Sequence, residues 1–310
     1  MTLIMNSSYN NNDEWFRSFD VEALLKPMWK EFIYGGHIFA VGAVSVAYMC
    51  AILCSIPVTI DFMVVIYLIF YTIYLYDYCQ GADKDTLTNS ERATYLKNGH
   101  KSSRTTIILY VCILAIGVIY SIFSDITNML YGFSVLVIGL LYHSHFKVLT
   151  KRVPAFKNVF VSVVWALLIL SPFLYYSYPI TSTALLLSAF IFLRMVSIQV
   201  FFDIRDVEGD KKEGLLTIPV ILGDKDVPLL KVLNVATTLL LVYGLYYSII
   251  PPIAIMAVFM FFYAHDYIGK ARAKEQSCFI LAAAEPMLWI VLIQSGAFVV
   301  AVLRTSTFLL

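Results

Sequence analysis

Charge is scarce in this chain. Only 14% of its 310 residues are charged, 60% are hydrophobic, and the mean hydropathy is +0.79. That balance excludes an ordinary soluble domain and points to a polytopic membrane protein. The net charge of +1 carries no sign of a nucleic acid partner, and none is expected. Five cysteines are scattered without a metal-ligand pattern, and Cys50 and Cys54, inside an apolar run, read as small packing residues. His143 and His145 alternate, a poor spacing for two ligands on one helical face, so no zinc site is expected. The first thirty residues lack an apolar stretch followed by a cleavage site, which argues against a secretory signal. No matched pair of Gly/Pro-broken apolar segments is present, which weighs against a transporter.

What the chain does have is long apolar runs. Measured against the roughly 20 residues needed to cross a bilayer, they predict nine spans near 33–55, 60–82, 105–123, 127–143, 157–176, 180–203, 228–248, 251–268 and 283–303. Residues 1–32 form a separate N-terminal segment. Trp15, Phe16, Phe19, Met28 and Trp29, interleaved with charges, predict a helix lying on the membrane surface, broken or started at Pro27. Residues 33–303 form the transmembrane domain. With nine spans, the connections after the even-numbered ones collect nearly all the Lys and Arg, among them Arg92, Lys101, Lys147, Lys151, Arg205, Lys211, Lys225 and Lys270. The opposite side keeps only Arg304. The positive-inside rule then sets the N-terminus and these connections in the cytoplasm.

The sixth span ends in Asp203-Ile-Arg-Asp206-Val-Glu-Gly-Asp210-Lys211-Lys212. If the helix continues through it, Asp203, Asp206 and Asp210 share one face at about 100° per residue. Like charges repel, so the arrangement calls for a cation between them, and Mg²⁺ holding its own waters and a phosphate is the natural candidate. The second span ends on the same side with Asp77, Gly81 and Asp85 at spacings of four. Tyr67, Tyr71, Tyr74 and Tyr78 lie along that face, and Gln199, Val196 and Phe192 lie along the face below Asp203. Packing alone accounts for such a tyrosine stripe, but it can also line a cavity and stabilise a cation by its π faces. Acidic mouths, a basic rim and an aromatic interior suggest a substrate with a diphosphate head and a long apolar tail.

The second acidic motif, followed by Lys211-Lys212 and Thr217-Ile218-Pro219, resembles the second aspartate-rich motif of the UbiA superfamily of intramembrane prenyltransferases. Tyr142, Lys147 and Lys157-Asn158 are similar to further family positions. The first motif departs from the pattern: Tyr78 and Gly81 stand where the family has Asp, while Asp77 and Asp85 are retained as polar positions, with Arg92 following. Such departures look like those of the family's terpene-cyclase branch. The resemblance implies an all-α bundle of nine transmembrane helices around a central cavity open to lipid. Asp77, Asp85, Asp203, Asp206 and Asp210 would hold Mg²⁺ and an isoprenyl diphosphate. Arg92, Lys147, Lys157, Asn158, Lys211, Tyr74, Tyr78, Tyr142 and Gln199 would bind substrate. The expected activity is prenyl transfer to an aromatic or lipid acceptor. The alternatives are a terpene cyclase without a second substrate, and a transporter or lipid-binding membrane protein.

Two further features are read structurally. Arg194, deep in the sixth span, needs a partner, and Glu285-Pro286 suits the start of the ninth helix by dipole and by proline's place in a first turn.

Overall fold

The computed structural model describes residues 21–82, 89–99 and 102–307. Among them no strand occurs; the elements are helices α1 (Val21–Tyr34), α2 (His37–Leu53), α3 (Ile60–Gly81), α4 (Ser90–Gly99), α5 (Ser102–Phe123), α6 (Ile126–Ser144), α7 (Phe156–Leu167), α8 (Ser171–Tyr175), α9 (Ser182–Glu213), α10 (Ile218–Leu222), α11 (Asp226–Tyr246), α12 (Met260–Gly269) and α13 (Gln276–Thr307), joined in places by short 3₁₀ turns. α3 and α5 are apolar nearly all round, a pattern that suits a helix with no aqueous side.

Seven segments are long and apolar enough to cross a membrane, and the number is eight if α1 and α2 are counted as one span bent by 68°. The nine predicted spans are therefore not reproduced among the described residues by that measure. The difference sits mainly at α6, whose apolar part, Ile126–Tyr142, falls just short. Two boundaries also move. Pro27 lies inside α1 rather than breaking or starting it, and the last helix begins at Gln276 rather than near residue 283, so Pro286 is internal.

α7 packs along α9, α13 along α2, and α3 against α2 and α5, enclosing one large apolar core that includes Phe62, Phe70, Trp165, Ile191 and Trp289. A smaller cluster around Phe201, Tyr267 and Phe279 ties α9 to α12 and α13 beside the acidic end. On α5, Ile107, Val111, Leu114, Val118 and Ile122 are exposed, as befits a surface that meets lipid rather than water.

α9 carries the acids. Its N-terminus is capped by the Thr181 side chain, which accepts from Ala184 N at 3.2 Å. Thirty-two residues at about 1.5 Å each give about 48 Å, longer than a ~30 Å hydrocarbon layer, so the helix reaches beyond the apolar zone at one end. It stops at Gly214, whose φ of 71° lets Leu215 N donate back to Asp210 O at 2.9 Å.

The buried Arg194 finds its partner in α13. Its guanidinium donates to both oxygens of Glu285, to Asn234 Oδ1 at 2.9 Å and to Tyr267 Oη at 3.1 Å. Glu285 therefore does not serve a helix start; it neutralises a charge that helix α9 carries into the core.

Candidate active site

The site is assembled from the N-terminus of α7 and the last turns of α9. Ala155 adopts a left-handed conformation (φ 59°), and it and the chain before it pair with the segment after α9: Ala155 N donates to Leu216 O at 2.7 Å, and Leu216 N to Thr150 O at 2.9 Å. This pins the first turn of α7 against α9. Lys157 Nζ then meets Asp203 Oδ1 at 2.5 Å, and Asn158 Nδ2 donates to Asp203 Oδ2 at 2.8 Å. Asn158 Oδ1 accepts from Ile218 N at 3.1 Å, capping the first turn of α10 from across the site. Asp203 is fully buried, so both oxygens needed such donors. Asp210 is buried one face-repeat along and accepts from Thr217 Oγ1 at 2.9 Å.

Beside these groups lies a cavity of about 160 Å³. α9 contributes Gln199, Phe202, Asp203, Arg205 and Asp206; α3 contributes Tyr74, Asp77 and Tyr78; Lys157 comes from α7 and Arg92 from α4. The two acidic helix ends thus face one space. Three carboxylates and three cationic side chains line it, and several are already matched: Lys157 with Asp203, and Arg205 Nε with Asp206 Oδ1 at 3.0 Å. Aromatic rings complete the wall. Phe39 stacks on Tyr74 at 4.5 Å between centroids and meets Phe202 edge-on at 5.8 Å, while Trp165 Nε1 donates to Tyr74 Oη at 3.1 Å and fixes that ring. Arg92 lies over the Tyr78 ring at 4.3 Å and Arg205 over the Phe279 ring at 4.5 Å.

The sequence matches the UbiA prenyltransferase family over residues 40–292. The chain belongs to that family. It is similar to the digeranylgeranylglyceryl phosphate synthase of Methanosphaera stadtmanae, with 37% identity over 95 residues; the match covers 29% of this chain and 35% of that protein, so the chain spans about a third of that relative's length. Its fold is similar to the apo structure of a UbiA homologue from Aeropyrum pernix K1 (TM-score 0.64, 17% identity, covering 84% of this chain and 97% of that one). It is also similar to a solved digeranylgeranylglyceryl phosphate synthase (TM-score 0.55, 13% identity, 86% and 95% covered). At these identities the structural likeness concerns the fold. The apolar helices and the family together make this an integral, multi-pass membrane protein.

Within this UbiA-family bundle the residues singled out in the sequence divide into groups. Tyr74, Asp77, Tyr78, Arg92, Lys157, Gln199, Asp203 and Asp206 line the cavity. Asn158 stands behind Asp203 rather than on the wall, and Asp210 is turned toward Thr217. Lys147 lies 3.5 Å from Glu213, Lys211 is exposed on the last turn of α9, and the Tyr142 ring stacks on Phe160 at 5.2 Å; none of the three lines the cavity. Asp85 lies outside the described residues. The tyrosine stripe of α3 also splits: Tyr67 and Tyr71 stack with His37, at 6.1 and 4.4 Å, away from the cavity wall. Wall residues that the sequence reading did not single out include Asn89, Arg205, Gln276 and Phe279. Arg205 sits inside the acidic motif itself, and its position between two Asp was the available signal. The others come from distant elements and carry no local signature.

Among the described residues no three His, Cys, Asp or Glu side chains converge closely enough to cage a metal ion by themselves. Mg²⁺, however, commonly takes one or two carboxylates, and substrate phosphates with water fill the rest of its shell. Asp77 and Asp206 line the same cavity as the buried Asp203, so its wall offers carboxylates of the kind that an ion shared with a phosphate-bearing substrate takes one or two at a time.

Proposed function

We propose that this protein is an intramembrane prenyltransferase that ionises an isoprenyl diphosphate and passes the prenyl group to a lipid or aromatic acceptor. The observation that carries this reading is the single cavity in which Asp77, Asp203 and Asp206 meet Arg92 and Lys157 beside aromatic walls. The allylic carbon–oxygen bond breaks, with its electron pair leaving on the diphosphate. The acceptor's nucleophilic atom then bonds to the allylic carbon and gives up its proton. Lys157 and Arg92 hold the charge that builds on the leaving oxygen, while Tyr74, Tyr78, Phe39 and Phe202 face the cation and keep water from it. Asn158 keeps the Asp203 carboxylate oriented. Asp77, Asp203 and Asp206 would hold Mg²⁺, which when bound supplies electrostatic neutralisation of the diphosphate. From the family resemblance, Asp85 and Asp210 would also take part in metal binding, with Lys147 and Lys211 attracting the anionic head from outside the cavity wall.

The similarity to a protein named for a digeranylgeranylglyceryl phosphate product favours an isoprenyl donor and a lipid acceptor. A second reading, terpene cyclisation without an acceptor, draws support from Tyr78 and Gly81 at two acidic positions of the first motif. We also take Ile126–Tyr142 as a crossing helix, since 17 residues reach about 25 Å. Counted with the bent α1–α2 pair this gives nine spans, a cytoplasmic N-terminus and a cytoplasmic active-site face. The catalytic domain is then 33–303, preceded by residues 1–32, of which the stretch from Leu25 belongs to the first arm of the bent span.

The test uses the purified protein in lipid with Mg²⁺ and isoprenyl diphosphates of several lengths, read as diphosphate release. Turnover that waits for an acceptor supports the transferase, and terpene formation without one supports the cyclase. Absence of release under every condition, or full activity in Asp203→Ala and Asp206→Ala, would sink both.

A further inference from the structure

We infer that Trp165, braced by Phe70, is the floor of the donor pocket and limits the isoprenyl tail to about two isoprene units. This rests on the isoprenyl diphosphate reading of the cavity and adds the length of donor it takes. Two helices measure the depth independently. On α3, Phe70 lies seven residues below Asp77; on α7, Trp165 lies eight residues beyond Lys157. At about 1.5 Å per residue both distances come to roughly 10–12 Å. An extended isoprene unit, about four carbon–carbon steps of ~1.5 Å laid in zigzag, advances roughly 5 Å. A tail whose diphosphate sits among the carboxylates therefore meets the floor after about two units. α7 turns one buried face from head to floor: Asn158 meets Asp203, Ser162 Oγ donates to Asn158 O at 2.7 Å, and Trp165 fills the next turn.

Trp165 is wedged between two spaces. Its Nε1 donates to Tyr74 Oη at 3.1 Å, and its ring meets Phe70 edge-on with centroids 5.2 Å apart. Tyr74 lines the cavity, whereas Phe70 lines a second, apolar slot of about 20 Å³ together with Tyr120, Tyr131 and Leu168. The indole thus touches a wall residue of each and keeps them apart. On its other side α2 and α13 close in: a Cβ at Gly42 would lie 3.6 Å from Trp165 Cη2 and 3.8 Å from Pro286 Cβ, ordinary contact distances. The seam between α2 and α13 is therefore packed at the depth of the floor. An additional isoprene unit has to fold back or displace the indole, and a close-packed interior resists such insertion. Removing the indole opens the way into the slot.

The test is binding of dimethylallyl, geranyl, farnesyl and geranylgeranyl thiolodiphosphates, whose carbon–sulfur bond resists ionisation. They are titrated with Mg²⁺ into the full-length protein in lipid nanodiscs and followed by calorimetry. Each tail comes from lipid rather than water, so a longer chain gains little by burial and the series reads fit. Wild type binds the geranyl chain at least as well as the dimethylallyl one and loses roughly 10-fold or more at farnesyl, the scale of overpacking. Trp165→Ala brings farnesyl level with geranyl. Phe70→Leu, which loosens the brace, shifts the ratio the same way by a smaller factor. The ratio is taken within one preparation, so partial unfolding cancels; if Trp165→Ala does not fold, Trp165→Leu and Phe70→Leu carry the comparison. Equal binding of geranyl and farnesyl chains by wild type, an unchanged ratio in the folded variants, or no binding of any chain overturns the floor. Diphosphate release from the ordinary isoprenyl diphosphates, run on the same preparations, separates the two claims. Release with a flat binding series leaves the prenyltransferase standing and removes the floor. A break after geranyl without any release does the reverse.

Discussion

Replacing Lys157 by methionine tests the pairing at the centre of the site. Asp203 is fully buried and divides its oxygens between Lys157 Nζ at 2.5 Å and Asn158 Nδ2 at 2.8 Å. Methionine keeps the stem's packing and removes the ammonium, leaving a buried carboxylate with one neutral donor. Breaking a buried pair on one side costs about 3–5 kcal/mol. The Lys157 side chain retains 24% exposure, so water compensates part of the loss and about 2–3 kcal/mol is expected. Adding Asp203→Asn removes the stranded charge, and the double variant recovers most of that stability, because the cost lies in the unpaired ion rather than in the pair. Activity follows a different course: both single variants and the double lose diphosphate release by at least about 100-fold, since substrate charge is no longer met. Reversible unfolding in mixed micelles reads the first quantity and a diphosphate-release assay the second. A Lys157→Met protein within about 0.5 kcal/mol of wild type, or a double variant destabilised by the sum of the singles, would refute the argument.

Elsewhere, Glu285→Ala strands Arg194 in the core and is expected to cost about 3–5 kcal/mol in the same unfolding assay, whereas Arg194→Met with Glu285→Leu costs far less. Gly214→Ala forces a Cβ into a left-handed cap at φ 71° and lowers stability by about 1 kcal/mol. Burial, and the Glu31 carboxylate that accepts from its hydroxyl, push Tyr95 on α4 up to about 12 from an ordinary 10.0. The folded state therefore holds that proton more tightly. Its contribution is complete below pH 10 and lost as pH rises toward 12; a melting series across that window shows an extra decline in wild type that Tyr95→Phe lacks.

Much of this was legible in one dimension because membrane crossing and helical phase are local properties. Apolar runs of the right length announced the all-helical bundle, and the spacing of Asp203, Asp206 and Asp210 announced a shared face. The structure carries α9 unbroken through all three. Helical phase alone did not say what every side chain on the face meets. Asp210 lies on the same helix as Asp203 yet turns to Thr217, which comes from beyond the helix end. Tyr67 and Tyr71 lie on the stripe of Tyr74 and Tyr78 yet stack with His37, because the start of α2 packs against that part of α3. Glu285 beside Pro286 looked like a helix start because both residues suit one. Its partner, Arg194, lies 91 positions away and gives no trace in local sequence.

The sequence by itself determined the solvent of this protein, its helical class and the acidic end of α9, because hydropathy and periodicity act within a single segment. Only the tertiary structure decided that Asp203 would be shared by Lys157 and Asn158, and that Arg92 and Arg205 would rest on Tyr78 and Phe279. Those choices depend on which helices pack together, and packing joins residues that the chain keeps far apart.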